Sequence, residues 1–371
     1  MKYIDEFRDR HLVEKAASGI KSALLGRPST GSGLVPSNVE GREYRFMEVC
    51  GTHTMSIFRF GLRDMLPETV ELLSGPGCPV CVTPCEYIDK AIAVSRIKNV
   101  IVTTFGDMFR VPGSYSTLEM EKTKGRDIRT VYSTLDALSI ARKNPGKEVV
   151  FLGVGFETTV PTVARSILIA KSEGLKNYSV LSAHKTMPRA LRALVSGERN
   201  IDGFILPGHV CAITGAGPFG FLASKFGKRC VISGFEPSDI MQSILMLLRQ
   251  KKPVVEIQYS RITSKSGNPV ARRAIKSVFE DAPSVWRGIG RIPDSGLGIR
   301  KSFSQFDAEK KFGIKVKRAK EPAGCRCGDV LKGICIPTEC RLFGNRCDPD
   351  HPVGACMVST EGACAAYYKY R

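Results

Sequence analysis

Between residue 44 and about residue 260, short β-rich runs alternate with segments of helical length, and this alternation constrains the fold more than any other feature. The runs at 45–50, 70–73, 100–104, 149–154, 179–182, 204–206 and 231–233 read as strands. Helical patterns lie between them at 85–97, 135–143, 163–173 and 188–195, with another at 239–250. The alternation predicts parallel sheets joined by crossover helices. The turn-rich stretch Lys143-Asn144-Pro145-Gly146-Lys147 divides the region into α/β domains at 41–145 and 146–255. A faint internal echo predicts that these two doubly wound domains are related. Ser74-Gly75-Pro76-Gly77-Cys78 follows a strand in the first, and Pro207-Gly208-His209-Val210-Cys211 follows one in the second. After residue 256 the pattern turns basic and helical and then cysteine-rich, which sets off a helical third domain at 256–371. Residues 1–40 read as an N-terminal helix and linker, with a loop over 27–41.

The N-terminal segment mixes acids and bases without an apolar stretch, and no run of about 18 apolar residues occurs elsewhere. A cytoplasmic protein is therefore expected, with reduced thiols, where clustered cysteines bind metal or do redox work rather than form disulfides. The formal net charge of +19 is densest between 300 and 320, at Lys310, Lys311, Lys315, Lys317, Arg318 and Lys320. Such a stripe could follow phosphates. No nucleic-acid motif accompanies it, however, and the interleaved Phe303, Phe306 and Phe312 suit a packed helix as well as a stacking surface. An acidic protein partner, or solubility, accounts for the charge better than nucleic acid does.

Doubly wound sheets place ligands where strands end and helices begin. After the first strand comes Glu48-Val49-Cys50-Gly51-Thr52-His53-Thr54, at an expected helix N-terminus, a position that favours a thiolate. A thiolate with an imidazole three residues on can bind a metal such as iron or act as a nucleophile with a base. A buried cysteine beside a structural histidine is the plain alternative. After the second strand, Cys78-Pro79-Val80-Cys81 at an expected helix start suits reversible disulfide chemistry. With Cys85 it offers three metal ligands instead, but no obvious fourth, so redox work is favoured. Gly153-Val154-Gly155-Phe156-Glu157-Thr158-Thr159 is not a dinucleotide fingerprint, since Thr158 stands where the third glycine belongs. Phe105-Gly106-Asp107, Ala183-His184-Lys185 and Pro207-Gly208-His209 add polar groups at other strand ends.

Seven of the 13 cysteines lie in the last 47 residues, among glycine and proline turns. A tail of this composition borrows stability from sulfur, through disulfides or a metal. Fourteen residues separate Cys325 from Cys340, six separate Cys340 from Cys347, and sixteen separate Cys347 from Cys364. These spacings favour a cubane iron–sulfur cluster over a zinc site, which more often shows two tight Cys hooks.

Taken together, Phe46-Met47-Glu48-Val49-Cys50-Gly51-Thr52-His53-Thr54, Ser74-Gly75-Pro76-Gly77-Cys78-Pro79-Val80-Cys81-Val82-Thr83-Pro84, Gly155-Phe156-Glu157-Thr158-Thr159 and the terminal Cys356-to-Tyr368 segment resemble the motifs of the HypD family of hydrogenase maturation factors. The resemblance covers roughly residues 40–371. It implies a scaffold and redox protein for assembling the Fe(CN)2CO moiety of [NiFe] hydrogenases. It implies a small chaperone partner of the HypC type, which shares the iron, and a carbamoyl-dehydratase partner of the HypE type, which donates cyanide. By position, the resemblance implies Cys50 as the ligand of the iron(II) that carries cyanide and carbon monoxide, with His53 beside it. It further implies Cys78 and Cys81 as the redox pair, Glu157 in the Gly-Phe-Glu motif as a catalytic group, and Cys325, Cys340, Cys347 and Cys364 as ligands of a [4Fe-4S] cluster. Cys327, Cys335 and Cys356 are then left outside the ligand set, and Cys85 outside the family motif. A rival expectation is an iron–sulfur-dependent thiol redox enzyme acting on a small molecule.

Overall fold

The computed structural model describes residues 8–25, 43–197, 200–317, 319 and 321–370. The expected loop at 27–41 and the basic residues Arg318 and Lys320 lie outside them. Among the described residues eleven strands run in chain order: β1 (Tyr44–Glu48), β2 (Val70–Ser74), β3 (Val100–Thr104), β4 (Asp127–Thr130), β5 (Glu148–Gly153), β6 (Tyr178–Ser182), β7 (Gly203–Pro207), β8 (Arg229–Ser233), β9 (Val255–Ile257), β10 (Phe279–Trp286) and β11 (Gly290–Ile299). Two parallel sheets with intervening helices result, the α/β architecture expected of two doubly wound domains.

The boundaries of these domains are not the expected ones. One compact unit takes in Met1–Gly77, Val195–Gly267 and Ala366–Arg371, and the other Cys78–Leu194 and Asn268–Ala365. The Lys143–Lys147 stretch only turns the chain from a helix into β5, inside the second unit. The reason is pairing at long range. β1 accepts both β2 and β7 as parallel neighbours, so the opening strands of the chain share a sheet with strands more than 120 residues later.

In the first unit the strand order is β2-β1-β7-β8-β9. Phe46, Ile205 and Val231 form a core with Ile240, Ile244 and Leu247 of the helix Pro237–Arg249. The N-terminal helix Arg10–Leu24 closes this core. Asp9 caps it by accepting the His11 N–H at 2.7 Å, and Val13, Ala17 and Ile20 recur at helical spacing on its buried face.

The second unit has the order β4-β3-β5-β6. Its core joins Phe151, Ile167 and Tyr178 to Phe279, Leu297, Phe303 and Phe306. Phe303 and Phe306 are therefore packing residues rather than a stacking surface. The expectation of a helical, cysteine-rich domain at 256–371 is also corrected. β9 completes the first unit's sheet, and β10 and β11 form an antiparallel hairpin, broken by a bulge between Ala282 and Ser284 where Pro283 cannot donate to the ladder. Among the described residues no cysteine is in a disulfide, and no helix is long and apolar enough to cross a membrane.

Candidate functional site

Each of the two parallel sheets has one place where the chain changes direction across it. In the first unit this lies between β1 and β7, because β1 leads to β2 on one side while β7 leads to β8 and β9 on the other. The carboxyl ends of two such strands diverge into a crevice. The β1 end carries Cys50, the N-cap of the helix Gly51–Arg59, as the sequence led one to expect. The β7 end carries Gly208 and His209.

Two glycines shape the Cys50 loop. Gly51 N donates to Gly77 O at 3.3 Å, and a Cβ on Gly77 would overlap Cys50 N and Cα. A Cβ on Gly75 would lie 2.8 Å from Glu48 O. The Gly-Pro-Gly segment thus makes room for the chain's own cysteine loop. Glu48, which sequence reasoning passed over as part of a motif, lies beneath it. Its Oε1 accepts the Thr54 hydroxyl at 2.6 Å and its Oε2 the Cys50 N–H at 3.3 Å. Burial raises its pKa to about 8, against the opposing pull of these donors.

His53, in the first turn of the same helix, is fully buried. Its Nε2 lies 2.9 Å from Gly234 O, so that nitrogen carries the proton and donates. Nδ1 then holds a bare lone pair, buried and without a partner. The ring stacks on Phe235 at 4.7 Å, and His209 stacks on Phe235 at 3.8 Å. Burial lowers the His53 pKa to about 4, so the imidazole is neutral and can act as a base or ligand.

In the second unit the change of direction falls between β3 and β5. Asp107 follows β3, and its Oδ2 accepts the Ser359 hydroxyl at 2.9 Å. The Cys78 thiol donates to Ser359 Oγ at 3.4 Å, and the Cys81 N–H donates to Cys78 Sγ at 3.3 Å. Cys78 and Cys81 share one tight turn, closed by Val82 N to Cys78 O at 3.2 Å. The expected helix start is not there. The helix Cys85–Ser95 begins four residues later, with Cys85 at its first position. Cys85 N donates to Glu321 Oε1 at 3.2 Å and its thiol to Oε2 at 3.5 Å, while burial pushes the thiol up to about 11.

Glu157, after β5, caps the helix Met187–Val195 by accepting Met187 N–H at 3.0 Å. Its Oε2 is buried and uncommitted, and burial raises the carboxyl pKa to about 7. Lys185, past β6, is buried and gives its ammonium to Ser284 Oγ and Val285 O, each at 2.8 Å; burial lowers its pKa to about 7.

Of the four expected cluster cysteines, Cys325 Sγ lies 3.3 Å from Cys327 Sγ, and Cys364 is buried. Cys347 Sγ accepts the Val353 N–H at 3.3 Å. Cys340 Sγ lies 3.9 Å from Gly324 O. Of the cysteines left outside the expected ligand set, Cys327 lies against Cys325, Cys356 is buried, and Cys335 packs with Val330 and Ala363. The neighbouring thiols Cys327, Cys364 and Cys81 pull the Cys356 pKa below the ordinary thiol value, against the effect of burial. The Cys81 thiol stays protonated, pushed up by burial.

Among the described residues, no three His, Cys, Asp or Glu side chains form a ready metal-ligand set. The tail nonetheless fits a cluster in three ways. Its donors are soft sulfurs. A backbone N–H already points at one of them, Cys347. And Gly354 leaves open the space beside Cys325 and Cys327, where a Cβ would come within 2.7 Å and 2.5 Å of the two sulfurs.

Residues 34–371 match the family described as HypD: Hydrogenase formation hypA family. Over its whole length the chain is 46% identical to the hydrogenase maturation factor HypD of Rhodobacter capsulatus, covering 98% of that protein. It is 44% identical to the hydrogenase maturation factor HypD2 of Bradyrhizobium diazoefficiens, covering 97%, and 42% identical to the HypD of Escherichia coli K12, covering 98%.

Proposed function

Because the chain belongs to the HypD family of hydrogenase maturation factors, we propose that it is the scaffold on which the Fe(CN)2CO moiety of a [NiFe] hydrogenase is assembled. The observation that carries the proposal is Cys50, a cysteine at a helix N-terminus in the switch-point crevice of its sheet, one turn from the bare Nδ1 of a neutral histidine. Cyanide and carbon monoxide are strong-field ligands that favour low-spin iron(II), and a soft thiolate is a fitting anchor for it. Cys50 holds the iron together with a small chaperone partner of the HypC type, and His53 acts as a base or further ligand there.

Cyanide arrives on the sulfur of a carbamoyl-dehydratase partner of the HypE type. Breaking an S–C bond so that both the thiolate and the cyanide leave as anions takes two electrons. Cys78 and Cys81 supply two when the dithiol closes to a disulfide, releasing two protons. Glu157, with its uncommitted oxygen, is suited to take up one of these protons, and the departing partner thiolate the other. A [4Fe-4S] cluster on Cys325, Cys340, Cys347 and Cys364 would supply single electrons to restore the dithiol. Cys81, whose thiol lies 4.0 Å from Ala355 O, faces the tail that carries those cysteines.

Mössbauer spectroscopy of protein purified without oxygen from cells fed isotopically enriched iron tests the assignment. A cubane signal is expected, with a separate low-spin iron(II) signal that disappears in Cys50→Ala. A tail holding zinc and no cluster would overturn the electron supply. A Cys78→Ser variant that assembled the dicyano iron at normal yield would overturn the role of the dithiol. Turnover of a small molecule without protein partners would favour the iron–sulfur-dependent thiol redox enzyme instead.

A further inference from the structure

A buried cation stands beside the tail thiols with one of its donors uncommitted. Arg287 lies between β10 and β11 and is 4% exposed. Its backbone N–H donates to Val82 O at 2.8 Å and its Nε–H to Thr83 O at 2.8 Å, which fastens it to the chain just past Cys81. Its neighbour Gly288 is packed on Gly328, the residue after Cys327, so closely that a Cβ on Gly288 would overlap Gly328 Cα. Nη1 pairs with Glu321 Oε2 at 3.0 Å, while Nη2 is buried and has no partner. Burial alone would lower the guanidinium's pKa. Its charged neighbours, Glu321 among them, outweigh that effect, and the pKa is raised.

A purely structural arginine in so buried a place would be expected to satisfy all its donors and to meet its charge in full. Here the one carboxylate partner is half exposed, at 50%, so solvent screens its share of the compensation. The remaining positive charge has the tail sulfurs as neighbours.

We propose that Arg287 is the charge-balancing residue of the tail metal centre, placing a fixed cation and an uncommitted N–H donor beside the tail thiols and so favouring the reduced state of a cluster bound there. The proposal rests on the tail holding the [4Fe-4S] cluster of the preceding section. A cluster that accepts one electron gains one negative charge, and a fixed cation nearby stabilises that form more than the oxidised one. Arg287 is a positioning residue in this sense, acting on potential rather than touching substrate.

The test is a dye-mediated potentiometric titration of the holoprotein, followed by electron paramagnetic resonance, for the native chain, Arg287→Gln, Arg287→Lys and Glu321→Gln. Arg287→Gln should disfavour cluster reduction at least tenfold, a downward shift of about 59 mV for a one-electron couple. Arg287→Lys, which keeps the charge and loses the fork, should recover most of that shift. Glu321→Gln removes an anion and should move the potential upward. If Arg287→Gln fails to fold, the upward shift expected of Glu321→Gln beside a near-native Arg287→Lys still decides the matter. An intact cluster whose potential ignores all three changes overturns the assignment of Arg287 alone. A native holoprotein with no cluster signal overturns the cluster reading and this assignment with it.

Discussion

The Cys78 thiol donates to Ser359 Oγ at 3.4 Å, joining two residues 281 positions apart, and Ser359 passes its own hydrogen to Asp107 at 2.9 Å. A disulfide has no hydrogen to give, so this contact stabilises only the dithiol form of the Cys78–Cys81 pair. Ser359→Ala should therefore shift the pair toward its disulfide by roughly two- to tenfold, the worth of one hydrogen bond of about 0.5–1.5 kcal/mol. Thiol trapping of metal-free protein in graded glutathione buffers reads the ratio directly. An unchanged ratio would mean that the contact contributes nothing to the couple.

Glu48 should make the fold sensitive to pH. Its folded pKa of about 8 lies above the ordinary carboxylate value of 4.5, so the folded state binds the extra proton between those limits. Stability from this group is full below about pH 4.5 and declines as pH rises toward 8. His53 works the other way at lower pH, because its folded pKa of about 4 lies below the ordinary 6.5 and its contribution grows as pH rises through that range. Comparing Glu48→Gln with the native chain isolates the carboxyl. Guanidinium unfolding at pH 5.5 and pH 8 should show the native protein losing on the order of a few kcal/mol more than the variant. Equal losses in both would show that Glu48 is ionised in the folded protein.

The strands that the sequence revealed are the apolar ones. Val100–Thr104 is buried along its whole length, and β5 nearly so, and their runs of β-branched and apolar residues mark them out. β4, Asp-Ile-Arg-Thr, is an edge strand with one buried side chain, and β9 is an edge strand of three residues, so neither has enough apolar pattern to be seen. The hairpin was hidden by Pro283 and by Gly290, Gly296 and Gly298, residues that ordinarily argue against strands. Domain boundaries failed because β1 finds β7 by tertiary pairing, which no local window records. In the site, Cys50 and His53 were legible from their place at a strand end. Glu48, Ser359 and Arg287 were not, because each is defined by a partner supplied by the fold: a loop amide, a distant thiol and a turn beyond Cys81.

Gly77 is fixed by the Cys50 loop and should not accept a side chain. A Cβ there would overlap Cys50 N and Cα, which are backbone atoms and cannot swing away. Gly77→Ala should cost about 1–3 kcal/mol and displace the Cys50 loop. Gly146 meets nothing within 4 Å and serves as the control, with Gly146→Ala expected within about 0.5 kcal/mol of the native chain. Thermal unfolding of the two variants, with iodoacetamide labelling of Cys50 as a probe of the loop, checks both. Equal stability of the two would show that the loop yields without strain.

Cys85 offers a third sulfur four residues past Cys81, and its chemistry separates a structural thiol from a ligand. It opens the helix Cys85–Ser95, and its backbone N–H and thiol both donate to the Glu321 carboxylate. With its pKa pushed up to about 11, only on the order of one molecule in ten thousand carries the thiolate there at pH 7, and the thiolate is the form that binds metal. A serine at this position keeps a donor for Glu321 and removes the sulfur. Cys85→Ser should thus retain the native iron content, the native Mössbauer spectrum and a stability within about 1 kcal/mol of the native chain. Loss of iron from a variant that unfolds at the native midpoint would make Cys85 a ligand and would require its thiol to ionise on metal binding.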